Sequence, residues 1–162
     1  MSTAEVIESA LREQELEFER IDAATFVVAL PGQKRLKTAC WLSIGAHALE
    51  IEAFVMRKPE ENLEGVYAFL LKRNVRMYAV SWGIDAAGDV YLSGRLPLSA
   101  VTADEIDRVL GSVLSYADDT FNQLLELGFG SSIKREWAWR VKRGESLANL
   151  QAFEGFAKPA SD

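Results

Sequence analysis

Hydrophobic positions change period along this chain, and the changes mark out its elements. Val6, Ile7, Ala10 and Leu11 recur at three- and four-residue steps, the spacing of one helix face. Ser2 or Thr3 is placed to cap that helix, Glu5 and Glu8 favour its positive end, and it is expected to finish near Leu16. From Glu17 the period is two. Phe18 and Arg20 alternate with Glu19 and Ile21, and Thr25–Leu30, Leu36–Ile44 and Ala48–Met56 follow as apolar or alternating runs. Pro31-Gly32 and Gly45-Ala46-His47 are turn signals. Short strands joined by short turns predict an antiparallel meander.

Pro59 ends that pattern, since it cannot continue a central strand. Asn62 is placed to cap a helix to about Arg73, with Leu63, Val66, Tyr67, Leu70 and Leu71 as its stripe and Asn74 as a left-handed stop. Arg76–Trp82 and Asp89–Arg95 predict a hairpin around Gly88. Thr102 and Glu105 match a capping box. A long helix follows, striped by Ile106, Val109, Leu110, Val113, Leu114, Ala117, Phe121, Leu124 and Leu125 and stopped at Gly128. At ~1.5 Å per residue it is roughly 35–40 Å long. Gly128–Ser132 predicts a hinge-like link, Ser132–Arg143 a further helix ended by Gly144, and Glu145–Phe156 a last helical turn or two. The order α-ββββ-α-ββ-α-α argues an α+β fold with an antiparallel sheet of about five to six strands. The expected organisation is one domain over residues 1–156 and a flexible polar tail over 157–162.

Composition narrows the function. The 162 residues include one Cys and one His, too few for an internal disulfide or a Cys/His zinc site. The net charge of −6 argues against a dedicated nucleic-acid binder. No apolar run approaches the roughly 20 residues that span a bilayer, and the N-terminus lacks a basic segment followed by an apolar one. The expected compartment is the cytoplasm, with no membrane association. The charge is uneven: residues 1–30 carry −5, whereas 134–143 carry +4.

Each candidate for chemistry reads more simply as structure. His47 lies in a turn with no nucleophile pattern to serve. Cys40 is mid-strand and reads as a small buried hydrophobe. Gly128–Ser132 matches neither dinucleotide nor P-loop spacing and reads as a helix stop followed by a serine cap. Glu60-Glu61, Asp104-Glu105 and Asp118-Asp119 do not chelate as neighbours, and Asp118-Asp119 reads as a solvated flank. No catalytic, cofactor or metal set is expected.

Two surfaces remain. In 133–143, Ile133, Trp137 and Val141 are spaced as a core stripe. Trp139 projects about 200° from Trp137 at 100° per residue, flanked at i±4 by Arg135 and Arg143, and Trp with Arg is the pairing typical of interface hot spots. In the sheet, period two puts Trp41, Phe54 and Met56 together on a mixed polar face. The alternative there is burial beneath a helix or in a dimer.

Three segments also resemble a known family: Leu30–Leu42, Lys58–Asn74 and Ser131–Ser146. They resemble the YbjN-like family, described as bacterial sensory transduction regulators, in its actinobacterial form, over about Val6 to Phe153. The resemblance implies a type III secretion chaperone-like fold, with helices on one face of the antiparallel sheet, often as a dimer, and supplies no catalytic residues. The expected function is a non-enzymatic, homodimeric protein-binding module with a regulatory or chaperone-like role and an unnamed protein or peptide partner. A small-ligand sensor, an unrecognised enzyme, and weak RNA binding through 134–143 are the alternatives.

Overall fold

The computed structural model describes residues 1–159. Helix α1 (Thr3–Glu13) starts where the Ser2 hydroxyl accepts from the Glu5 N–H at 3.2 Å, and it buries Ile7, Ala10 and Leu11. Strands β1 (Glu17–Arg20), β2 (Thr25–Pro31), β3 (Lys37–Ile44) and β4 (Ala48–Met56) form the expected meander. Helix α2 (Leu63–Asn74), strands β5 (Val80–Ile84) and β6 (Val90–Pro97), and the long helix α3 (Ala103–Arg143) follow. A 3-10 segment (Ala148–Phe153) and short helix α4 (Glu154–Ala157) close the chain. All strands pair antiparallel in one six-stranded sheet ordered β1-β2-β3-β4-β6-β5, so the α+β expectation and its element order hold.

One face of the sheet is covered. Phe26, Val28, Leu30, Cys40, Leu42, Leu49, Ile51, Ala53, Val90 and Leu92 are buried on it. Helix α3 lies across β2, β3 and β4, α1 packs on α3, and α2 fills the space between α3 and β5. The stripe of α3 works as its spacing predicts: Ile106, Val109, Leu110, Val113, Ala117 and Leu124 are all buried. Each such side chain contributes about 1.5–3 kcal/mol on leaving water.

Several local details differ from the pattern. Arg76–Ala79 is not strand, because the Tyr78 N–H donates to the Tyr116 hydroxyl of α3 at 2.8 Å and Ala79 turns to a φ of 64°. Asn74 remains helical. Its side chain instead reaches the outer strand, accepting from the Trp82 N–H at 2.6 Å and donating to the Trp82 carbonyl at 3.1 Å. That occupies part of an exposed sheet edge, where an unpaired backbone would otherwise invite another chain. Met56 is buried rather than exposed. A β-bulge between Phe54 and Met56 places both Val55 and Met56 on the covered face, since one extra residue flips the face of everything beyond it. Ala157, assigned to the polar tail by its position, is helical and buried, and residues 160–162 of that tail lie outside the described residues.

Asp118 is no solvated flank. One oxygen, Oδ1, accepts the backbone N–H groups of Gln33, Lys34 and Arg35 at 2.8–2.9 Å, a nest of the kind that binds anions. Gly32 allows this approach, because a Cβ there would lie 2.6 Å from Asp118 Oδ1. The carboxyl experiences desolvation, which raises its pKa, but the three backbone donors outweigh it and the net value falls below 3.8. A folded value depressed in this way stabilises above the unfolded value and ceases to do so as pH falls through the folded one. Asp118→Ala should therefore cost about 1–2 kcal/mol in urea unfolding at pH 7, allowing for solvent around the loop. The difference from the parent chain should shrink as pH drops below 3.8; a gap independent of pH would refute the charge-assisted nest.

Candidate partner-binding surfaces

Among the described residues no helix lies on the uncovered face of the sheet. Along β3 that face presents Lys37, Ala39, Trp41 and Ser43, and along β4 Glu50, Glu52 and Phe54. Register continues the rows: Val27, Trp41, Glu52, Ser93 and Ser81 lie side by side across five strands. Trp41 is 43% and Phe54 38% exposed. Phe54 meets Tyr91 edge-on, with ring centroids 5.5 Å apart. Glu50 and Arg95 pair loosely at 3.7 Å. Of the three residues expected together here, Trp41 and Phe54 share the open face and Met56 does not.

The second surface depends on a break in α3. Phe129 has non-helical φ −134° and ψ 21°, so two helical segments meet here at a kink, and the expected hinge-like link over Gly128–Ser132 narrows to this one residue. Backbone groups freed at such a break need partners, and one loop supplies them on both sides. The Glu60 and Glu61 N–H groups donate to the Gly128 carbonyl at 3.0 and 3.2 Å. Asn62, which adopts a left-handed φ of 54° and does not cap its own helix, donates from its amide to the Leu127 carbonyl at 3.4 Å. Beyond the break, Glu61 accepts from the Ser131 N–H and hydroxyl at 2.6 and 2.9 Å, and Glu60 accepts from the Ser132 hydroxyl at 2.5 Å. Gly128 allows the loop to approach this closely, because a Cβ there would stand 2.9 Å from the Pro59 ring. The anion at this helix start is thus the chain's own carboxylate pair. Both carboxyls sit below their ordinary value, Glu60 through the Ser132 hydroxyl and Arg57, Glu61 through the backbone and hydroxyl of Ser131.

Past the break, α3 carries a small second core. Trp137, Phe153 and Ala157 are buried together, with Ile133, Leu147, Leu150 and Phe156 around them. Val141 is not part of it. It is 57% exposed, on the open side of a shallow pocket that it lines with Trp137, Leu147 and Gln151. Trp139 points out as its angle predicts and is 52% exposed. The Arg143 guanidinium lies 5.1 Å from its ring centre. Arg135 turns to the Ser132 hydroxyl at 3.1 Å, so only one flanking arginine stacks on the indole. Two other charges are partly spent: Arg140 pairs with Glu136 at 2.7 Å, and Arg143 with Glu145 at 3.2 Å.

The single His and Cys behave as their positions predict. His47 is exposed in the β3–β4 turn. Cys40 is fully buried, and desolvation pushes its thiol up to about 12, so it is no ready nucleophile. Among the described residues no cluster of metal-ligating side chains occurs, and no helix is long and apolar enough to cross a membrane.

Residues 3–126 match the model of the YbjN family, described as "Putative bacterial sensory transduction regulator". The uncharacterized protein ML2442 of Mycobacterium leprae is 56% identical over 153 residues, covering 91% of this chain and 83% of that one. Rv0487 of Mycobacterium tuberculosis is 54% identical over 153 residues, covering 91% and 84%. The fold is that of type III secretion chaperones. The Yersinia pestis chaperone SycH, solved in complex with a stable fragment of YscM2, superposes with a TM-score of 0.53 at 16% identity, covering 72% of this chain and 97% of that one. The ExsC–ExsE complex gives 0.55 at 17% identity, covering 76% and 97%.

The carboxylates at the break generate a direct test. Glu60→Gln with Glu61→Gln should raise amide exchange across 131–143, corrected for intrinsic rates, and leave β2–β4 unchanged. Because both folded values are depressed, the parent chain should lose the same protection as pH falls through the acidic carboxyl range. Unchanged exchange in the double variant would show that the carboxylates do not hold the break.

Proposed function

The chain belongs to the YbjN family, and on that premise we propose that it is a protein-binding module with a regulatory or chaperone-like role and no reaction of its own. The observation that carries this is the open sheet face, where Trp41 and Phe54 stand exposed among polar neighbours with no element of the described residues over them. Exposed aromatic islands on a rigid sheet suit docking of a polypeptide, since aromatic side chains offer large contact area. The fold supports the reading, because SycH and ExsC are each seen in complex with another polypeptide. The Trp139 side of α3, with Arg135 and Arg143, is the second proposed contact. The protein is taken to act in the cytoplasm as a homodimer.

The pairing of Arg140 and Arg143 with acids favours a protein partner over RNA on this helix, since charges already neutralised release few counterions from a phosphate chain. Affinity purification from native extract should retain a partner with the parent chain. Trp41→Ala/Phe54→Ala should weaken retention tenfold or more, the scale of an interface hot spot, with circular dichroism and melting unchanged. Equal retention by the variant would refute the sheet-face assignment. Light scattering should return twice the 18.0 kDa of one chain; a monomeric mass at high micromolar concentration would exclude the homodimer.

A further inference from the structure

The bulge that buries Met56 also opens a cleft. Its walls are Met56, Phe121, Leu125 and Phe129, with Arg35 at one side and Arg57 at the other, and it encloses about 290 Å³. That is the low end of the ~300–1,000 Å³ of small-molecule sites, and bulges recur beside binding sites.

Arg35 is unusual among the cations of this chain. It is half-buried, its guanidinium lies 5.5 Å from the centre of the Phe121 ring and 5.9 Å from that of Phe54, and no carboxylate pairs with it among the described residues. Its position is fixed. Nε donates to the Val55 carbonyl at the bulge at 3.0 Å, and Nη1 donates to the Thr38 hydroxyl at 3.3 Å and to the Lys37 carbonyl. The Asp118 nest holds its backbone N–H at 2.9 Å. Nη2 has no protein acceptor among the described residues. Desolvation lowers its pKa, as expected for a cation drawn out of water without a counter-charge. Across the cleft, Arg57 stacks 4.3 Å from the Phe129 ring centre, but its own Nη2 is engaged by Glu60 at 2.8 Å. The charge of Arg57 is thus paired, and the cleft cation without a carboxylate partner among the described residues is Arg35.

The geometry points to this cleft as a binding site for a small carboxylate with an apolar tail: the carboxylate on Arg35 Nη2, the tail against Met56, Phe121 and Leu125, and its end against Phe129. Charge and hydrophobicity thus select together, and the ligand rests on the residue at which α3 breaks. This site is distinct from the proposed contacts at Trp41 and Trp139 but shares Phe54 with the sheet-face contact, because Phe54 also lines the cleft.

Met56 supplies the probe, as one of only three methionines in the chain. In protein labelled with ¹³C at the methionine methyls, octanoate should shift the Met56 signal saturably and leave those of Met1 and Met77 in place. Octanol, with the same tail and no charge, should bind about tenfold more weakly, the scale of a charge-assisted hydrogen bond. Arg35→Gln should remove that preference. Arg35 also ties down Val55, so a second variant, Leu125→Phe, fills the cleft with Arg35 intact and should abolish both shifts. The site is overturned if millimolar octanoate leaves Met56 unmoved in the parent chain, if octanol binds as tightly as octanoate, or if Leu125→Phe binds octanoate unchanged.

Discussion

The course of α3 beyond Gly128 is set by one group of hydrogen bonds: those between the loop 59–62 and the break in α3. A helix interrupted at Phe129 loses backbone partners on both sides. Here the N–H groups of Glu60 and Glu61 and the amide of Asn62 take the freed carbonyls, while the two carboxylates take the Ser131 N–H and the hydroxyls of Ser131 and Ser132. The loop that ends the meander therefore fixes the direction of the helix beyond Phe129. The Trp137 cluster, the outward Trp139 and the Phe129 wall of the Arg35 cleft all follow from that direction.

A second carboxylate does the same for the middle of α3. Asp118 gathers three backbone N–H groups from the β2–β3 loop and so carries Arg35 to the bulge in β4. Of the three segments that carry the family resemblance, Leu30–Leu42 and Lys58–Asn74 grip α3, and Ser131–Ser146 begins in the part of α3 that the second of them holds. Buried apolar stripes hold the helices on the sheet, and these exposed polar clamps set where α3 bends. One side of the sheet is then left uncovered, and that side is where the function is proposed.

The elements were legible because periods of two and 3.6 persist over whole segments, and the long stripe of α3 could hardly belong to anything else. The break was legible too, from Gly128 and Gly130. Its caps were not, because Glu60 and Glu61 lie some 70 residues from Ser131 in sequence and an acidic pair looks like surface. Asp118 was misread for the same reason. Met56 was misplaced because period-two counting assumes an unbroken ladder and one bulged residue inverts it. Val141 continued an i+4 stripe in sequence but is left 57% exposed beside Trp137. Trp139 was legible as exposed because helix angle is a local property; Trp41 and Phe54 were legible as sharing one sheet face, but whether a helix or partner covers that face is not local and stayed open. The Arg35 cleft was not, since it draws on a loop, a bulge and a helix at once.

The central claim is that the uncovered aromatic positions are partner contacts. Hydroxyl-radical footprinting of Trp41 and Trp139 tests it most directly, comparing purified chain with the same chain in native extract and using exposed residues elsewhere, such as Tyr78, as reference. The account predicts that Trp41 and Trp139 oxidise readily in the purified protein and become protected in extract while the reference does not. Equal oxidation of both tryptophans in the two settings would contradict it.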